Sequence, residues 1–356
     1  MCEVMYTPVL KARMGELTAL GWIQPVTRQH LLPLLQIEPG TTDEDYGRPV
    51  GKKAIDKAVG RLRCWAGQEL LLDVGLLDTE VVLEDGAGAI GYAVSQALDH
   101  GVRAAPVLRL DDGLLARRDA RAAHADLRTG VAIRLSDADM DQEPEDLDDA
   151  LTSLLGDLAL QPSDVDLVLD LGCVIGDLPV VAGSRLAADV LRGLRAADEW
   201  RHVIVAAGAF PADLGEIVAW EIGELPRWDA ALFDRLQGRR RLPCELVFGD
   251  YAVTNPVATS AAFRSAPNLR YAVADRWLFL KGRLNDPRGH DQFYEVCERI
   301  AEHPEFVGAA LGVADARIAS PRANGHGPGN ATTWRAVGTA HHLDYIVQRL
   351  TTLGEP

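Results

Sequence analysis

The chain has 356 residues, of which 47% are hydrophobic and 25% charged, and its formal net charge is −16. Its length suits one large α/β domain or two ordinary ones, and the composition is that of a globular protein. The acidic balance opposes nucleic acid and anionic membrane surfaces as partners, and no apolar run approaches the roughly 18–20 residues of a membrane helix.

The opening MCEVMYTPVLKARMG lacks the basic-then-apolar order of a signal peptide. Cys2, Cys64, Cys173, Cys244 and Cys297 are odd in number and scattered, with no CxxC pair. That pattern fits a reducing cytoplasm and opposes a disulfide framework or a thiolate zinc site.

Short apolar runs alternate with longer amphipathic stretches along most of the chain. The runs cover 5–12, 31–39, 69–75, 102–110, 131–136, 165–172, 201–208 and 244–252. Each reads as a strand buried on both faces. Between the fifth and sixth runs, PEDLDDALTSLLGDLAL places Leu147, Leu151, Leu154, Leu155 and Leu158 on one helical face. The stretch 47–68 is a second helical candidate. Beyond the eighth run, 268–284 reads as a hairpin turning near Ala274 and Asp275. A helix at 290–308, a Gly/Pro-rich loop at 320–331 and a last helix at 332–350 follow.

Eight strand–helix units are the number that closes a (β/α)8 TIM-like barrel. An open doubly wound parallel sheet is the alternative, because it uses the same βαβ unit. On the barrel reading the chain is a single domain. Residues 1–262 form the barrel, and 263–356 form a hairpin-plus-helix elaboration that closes over one barrel face.

Barrels collect functional side chains at the carboxyl ends of their strands. Reading those ends in order gives Lys11, Glu38, Asp73, Arg109, Arg134, Asp170 and, on the eighth strand, Asp250 with Tyr251. The seventh runs out into Ala-Gly-Ala-Phe-Pro without a charge. Charges inside apolar strands need partners. One arrangement is an ion-pair plug in the barrel mouth. The other is a ligand site, in which Lys11, Arg109 and Arg134 bind an anion and Glu38, Asp73, Asp170, Asp250 and Tyr251 supply acid–base groups. All-oxygen donors of this kind would suit Mg²⁺ or Mn²⁺. The loop Gly325–Asn330 runs into the last helix with Asn330 or Thr332 as its N-cap and Asn330 as an anion contact, or else forms a mobile surface lid.

Other motifs carry less. Gly86-x-Gly88-x-x-Gly91 matches a dinucleotide fingerprint but lacks the acidic second strand that goes with it. His341 and His342 are about 100° apart around a helix and cannot share one metal, so a solvated or capping pair is expected, with one histidine facing the rim as the alternative. Cys173 reads as a buried structural thiol, and Arg239-Arg240-Arg241 as a solvated helix end.

The segments YTPVLKARMGELTAL, PLLQIEP, FGDYA and ATTWRAVGTAHHLDYIV resemble the bacteriophage-type beta protein family, found in phages and bacteria. They touch both ends of the chain, so the resemblance spans nearly all of it. It implies a barrel-like fold and a phage-associated setting, and it assigns no catalytic residues. Lys11, Glu38, Asp250 and Tyr251 lie within the resembling segments. The expectation is a barrel hydrolase or lyase acting on a phosphorylated or anionic small molecule or nucleotide. The alternative is a binding or regulatory protein in phage–host interaction, using the same rim to hold a peptide, nucleotide signal or protein partner.

Overall fold

The computed structural model describes residues 3–39, 50–257 and 266–356. Its strands are β1 (Tyr6–Lys11), β2 (Leu34–Gln36), β3 (Glu69–Asp73), β4 (Arg103–Leu108), β5 (Val131–Leu135), β6 (Val165–Cys173), β7 (His202–Gly208), β8 (Gly223–Pro226), β9 (Val247–Asp250), β10 (Asn268–Ala272) and β11 (Arg276–Lys281). Eight of them, β1 to β7 and β9, form a closed parallel barrel. Closure is made where β9 returns to β1, pairing Phe248 with Tyr6 and Asp250 with Pro8. The barrel expectation is met, and the open sheet is not. Seven of the eight barrel strands fall inside their apolar runs, and β6 extends one residue past its own, to Cys173.

Side chains alternate across each strand, because successive Cβ atoms point to opposite faces. The barrel therefore has two cores. Val9, Leu34, Leu71, Val107, Ala132, Val168, Ile204 and Val247 fill the lumen. Their neighbours Leu10, Leu35, Leu72, Leu108, Ile133, Leu169, Val205 and Phe248 face the outer helices.

The helices are α1 (Met14–Trp22), α2 (Pro25–Gln29), α3 (Val50–Val59), α4 (Ala89–Asp99), α5 (Leu114–Leu127), α6 (Asp137–Met140), α7 (Pro144–Leu158), α8 (Asp177–Gly193), α9 (Trp228–Gln237), α10 (Gln292–Ala301), α11 (Val313–Ala319) and α12 (Ala331–Leu353). In α7 the five leucines read from the sequence are all buried, and Pro144 at the first turn starts the helix. Among the described residues, no helix is long and apolar enough to cross a membrane.

The segment beyond β9 does more than cover a face. Helix α12 packs on α1, α2, β1 and β10, in the place of the barrel's eighth outer helix. Gly338 allows this approach, because a Cβ there would lie 2.8 Å from the Arg270 carbonyl oxygen. The hairpin β10–β11 pairs Tyr271 with Leu278. The short β8, from the connection after β7, adds to its other edge. Loops following the seventh and eighth barrel strands thus share one small antiparallel sheet. The expected boundary between residues 262 and 263 lies outside the described residues.

Candidate functional site

At the carboxyl end of the lumen, the inward-facing positions are polar. Arg109 donates both terminal nitrogens to Asp73, each at 3.0 Å. Arg134 donates to the other side of the same carboxylate. It also reaches Asp170 through Nε at 2.9 Å and Nη2 at 2.6 Å. The Tyr251 hydroxyl accepts from Arg134 at 2.6 Å and donates to Asp170 at 2.7 Å. Two guanidinium groups, two carboxylates and a phenol so form one continuous chain from β3 to β9. Gly75 makes room for it, since a Cβ there would sit 1.4 Å from Arg109 Nη1.

The electrostatics follow from burial and pairing. Burial alone would raise the Asp73 carboxyl, but Arg134, Arg109 and the Gly75 N–H together hold it below the ordinary range. Burial opposes the charge on Arg134, and Asp170, Tyr251 and Asp73 more than restore it. Burial and the Asp170 carboxylate keep the Tyr251 phenol protonated far above its usual range. Asp170, with 12% of its side chain exposed, is the carboxylate of this chain open to the mouth. A divalent ion does not fit this donor set. Both Asp73 oxygens already accept from guanidinium groups, and the Gly75 and Gly172 N–H groups hold Asp73 and Asp170 on their other lone pairs. Among the described residues, no three His, Cys, Asp or Glu side chains are grouped to hold a metal.

Beside this chain lies a second, more basic cluster. Lys11 Nζ is 3.6 Å from Glu38 and donates to the Val257 carbonyl at 3.1 Å. Glu38 is held by Arg13 at 2.5 and 3.0 Å. Arg335, on α12, reaches Glu16 at 3.5 Å. Arg270, on β10, donates Nη1 to the Val253 carbonyl at 2.8 Å and lies 4.6 Å from the Phe210 ring centroid. Its buried Nε has no acceptor. Lys11, Arg13, Arg270 and Arg335 line a cavity of about 80 Å³ with Asn255 and Thr254. Burial lowers the pKa of Lys11, Arg270 and Arg335, and at Arg270 the neighbouring Arg335 pushes the same way.

The structure thus brings together Lys11 with Glu38, and Asp73 with Arg109, Arg134, Asp170 and Tyr251. It separates two residues from them. Asp250 belongs to the outward-facing set of β9 and is fully buried against α12. It accepts from Tyr6 at 2.5 Å, His342 Nε2 at 2.7 Å and the Ala252 N–H at 2.8 Å, with Arg227 3.8 Å away. The reason is parity: Val247, Gly249 and Tyr251 point into the lumen, so Asp250 cannot. Asn330 caps α12, accepting from the Thr332 and Thr333 N–H groups at 3.0 and 3.3 Å, and does not line the cavity. Its loop is tied down by Trp334 on the Pro328 carbonyl and Arg317 on the Gly327 carbonyl.

Two smaller expectations change. His341 and His342 are both fully buried rather than solvated. His341 bridges Asp315 and the Ala272 carbonyl, while His342 joins Asp250 to Trp277. Cys173 is exposed. The glycine fingerprint opens α4, and Asp119 accepts its Gly88 N–H at 2.7 Å and Gly91 N–H at 3.2 Å, so a side chain occupies the anion position and the motif carries no dinucleotide there. Sequence reasoning missed Arg13, Arg270 and Arg335. Arg13 stands two residues past Lys11, on the same face of an extended chain, and that spacing was the available signal.

A closed ring of eight parallel strands, with Asp73, Arg109, Arg134 and Asp170 gathered at the carboxyl end of its lumen, defines a TIM-type (β/α)8 barrel. The family model described as Beta protein matches residues 6–348. The chain belongs to that family. Two solved structures of mutant tryptophan synthase alpha-subunits from the hyperthermophile Pyrococcus furiosus are similar at 11% identity, over 70% of this chain and 87% of theirs. Their TM-scores are 0.38 and 0.39, a likeness that carries no argument about activity. Comparison with the curated proteins gives no match.

Proposed function

We propose that this protein is a hydrolase or lyase that acts on an anionic small molecule or nucleotide at the carboxyl-end rim of the barrel. The observation that carries the reading is the Tyr251 hydroxyl, held between Arg134 at 2.6 Å and Asp170 at 2.7 Å, on the strand neighbouring that of Lys11. A protonated phenol in that setting is a proton donor for a leaving group. Arg134 stabilises the phenolate that results, and Asp170, open to the mouth, relays a proton from solvent to restore the phenol once the product has left. The basic cluster supplies the attraction for an anion that the overall charge of −16 otherwise repels. A cytoplasmic, phage-associated setting belongs to the same proposal, supported by the family resemblance and by unpaired Cys64, Cys173, Cys244 and Cys297.

The test is turnover of a panel of phosphorylated and carboxylated small molecules by wild type and Tyr251→Phe. Loss of positioned acid–base catalysis costs about 10²- to 10⁴-fold in kcat. Turnover unchanged in the Phe variant refutes the role of Tyr251. Saturable ligand binding with no turnover across the panel favours the binding-protein alternative.

A further inference from the structure

We propose that the cavity lined by Lys11, Arg13, Arg270, Arg335 and Asn255 is a subsite for the terminal phosphoryl group of the substrate. This rests on the reading of the rim as an anion site and names the anion. Four cationic side chains meet there, and the carboxylates that face them are Glu16 and Glu38. The excess is two positive charges, which a phosphomonoester dianion balances and a single carboxylate leaves half-compensated. The cavity of about 80 Å³ has room for a few water molecules at ~30 Å³ each. That is the scale of one tetrahedral oxyanion.

Arg270 points most directly to an occupant. Its guanidinium faces a carbonyl, an aromatic ring and another arginine, and its buried Nε has no acceptor. Among the described residues, no carboxylate is within ion-pair distance of it. Glu16 offsets that charge only from beyond ion-pair distance, an under-compensated buried cation is costly, and a bound dianion lowers that cost while accepting from the planar donor forks of the arginines. The location agrees with the chemistry. Phe210 follows β7, Thr254 and Asn255 follow β9, and barrels commonly bind phosphate at the loops after their seventh and eighth strands.

Inorganic phosphate is the probe, titrated calorimetrically and by ³¹P NMR at low ionic strength, with acetate as the singly charged control. The expected result is one saturable site per chain, with acetate at least about 10-fold weaker. Arg13→Met and Arg335→Met should each weaken phosphate by about 10- to 100-fold, the loss for a hydrogen bond to a charged group. Arg13 has 41% of its side chain exposed, so its replacement leaves the fold intact. Tyr251→Phe should leave phosphate affinity within about 2-fold of wild type. Absent saturation, unchanged affinity in both arginine variants, or equal binding of acetate each overturns the phosphoryl subsite. None of these outcomes depends on turnover, so the subsite and the Tyr251 chemistry fail separately.

Discussion

Replacing Asp250 by Asn separates a catalytic from a structural role for this carboxylate of β9. The carboxylate accepts from Tyr6, His342 and the Ala252 N–H, and it lies 3.8 Å from Arg227. Trp277 donates to His342 Nδ1 at 3.4 Å, which places the histidine proton on Nε2, facing Asp250. An asparagine keeps one oxygen for Tyr6 and Ala252 but turns an amide N–H₂ toward that N–H. Either the two donors oppose each other or the ring changes tautomer and orphans Trp277. Arg227, fully buried with Nε and Nη1 already unpartnered, also loses one of its two counter-charges and keeps Asp229 at 3.1 Å. Breaking a buried pair in this way costs about 3–5 kcal/mol. With an unfolding entropy of roughly 2.1 cal/mol/K per residue, a chain of 356 residues should lose ~4–7 °C in Tm. Scanning calorimetry measures this, and phosphate titration of the folded variant should match wild type. A variant that melts within about 1 °C of wild type yet has lost turnover refutes the structural assignment and returns Asp250 to the reacting groups.

Three further outcomes are expected. Burial raises Asp344 to about 6, against the Thr27 hydroxyl and Gln24 N–H that favour its charge. A carboxyl raised in the folded state stabilises below its unfolded value near ~3.9, and that stability is lost as pH rises through about 6. The loss by neutral pH is up to ~3 kcal/mol, so Asp344→Asn should flatten the pH profile of urea unfolding and be more stable than wild type at about pH 7.5. A parallel profile in the variant refutes this. Gly75→Ala should displace Arg109 from Asp73, because the added Cβ falls 1.4 Å from Nη1. Arg134 still covers that carboxylate, so the loss should be about 1–3 kcal/mol in urea unfolding. Asn330→Ala removes the acceptor for the Thr332 and Thr333 N–H groups. It should cost about 0.5–2 kcal/mol, with phosphate affinity unchanged, whereas a role for Asn330 in anion binding would lower that affinity as well.

Barrel and strand order were legible because a parallel strand buried on both faces reads as a near-continuous apolar run, as in 165–172 and 201–208. The rim charges were legible for the complementary reason: Asp73, Arg109, Arg134 and Asp170 interrupt runs that otherwise exclude charge. Tyr251 and Asp250 show where that reading stopped. Both stand at the end of the eighth strand, and only the alternation Val247, Gly249, Tyr251 against Phe248, Asp250 assigns them to opposite sides of the wall. That parity is present in the sequence, but it becomes decisive once one position is known to face the lumen. The short β8 left no signal, because its backbone is ordered by pairing with β11 and its side chains alternate only between partly and fully exposed.

The basic cavity is of another kind. Arg13 follows the first strand, Arg270 lies on the hairpin and Arg335 on the last helix, and no periodicity links Arg13 to two positions more than 250 residues away. Local pattern determines which face of a strand or helix is buried, since that depends on neighbours two to four residues away. Which charges meet, and whether they leave an excess, was decided only when β9 closed onto β1 and α12 took the place of the eighth outer helix.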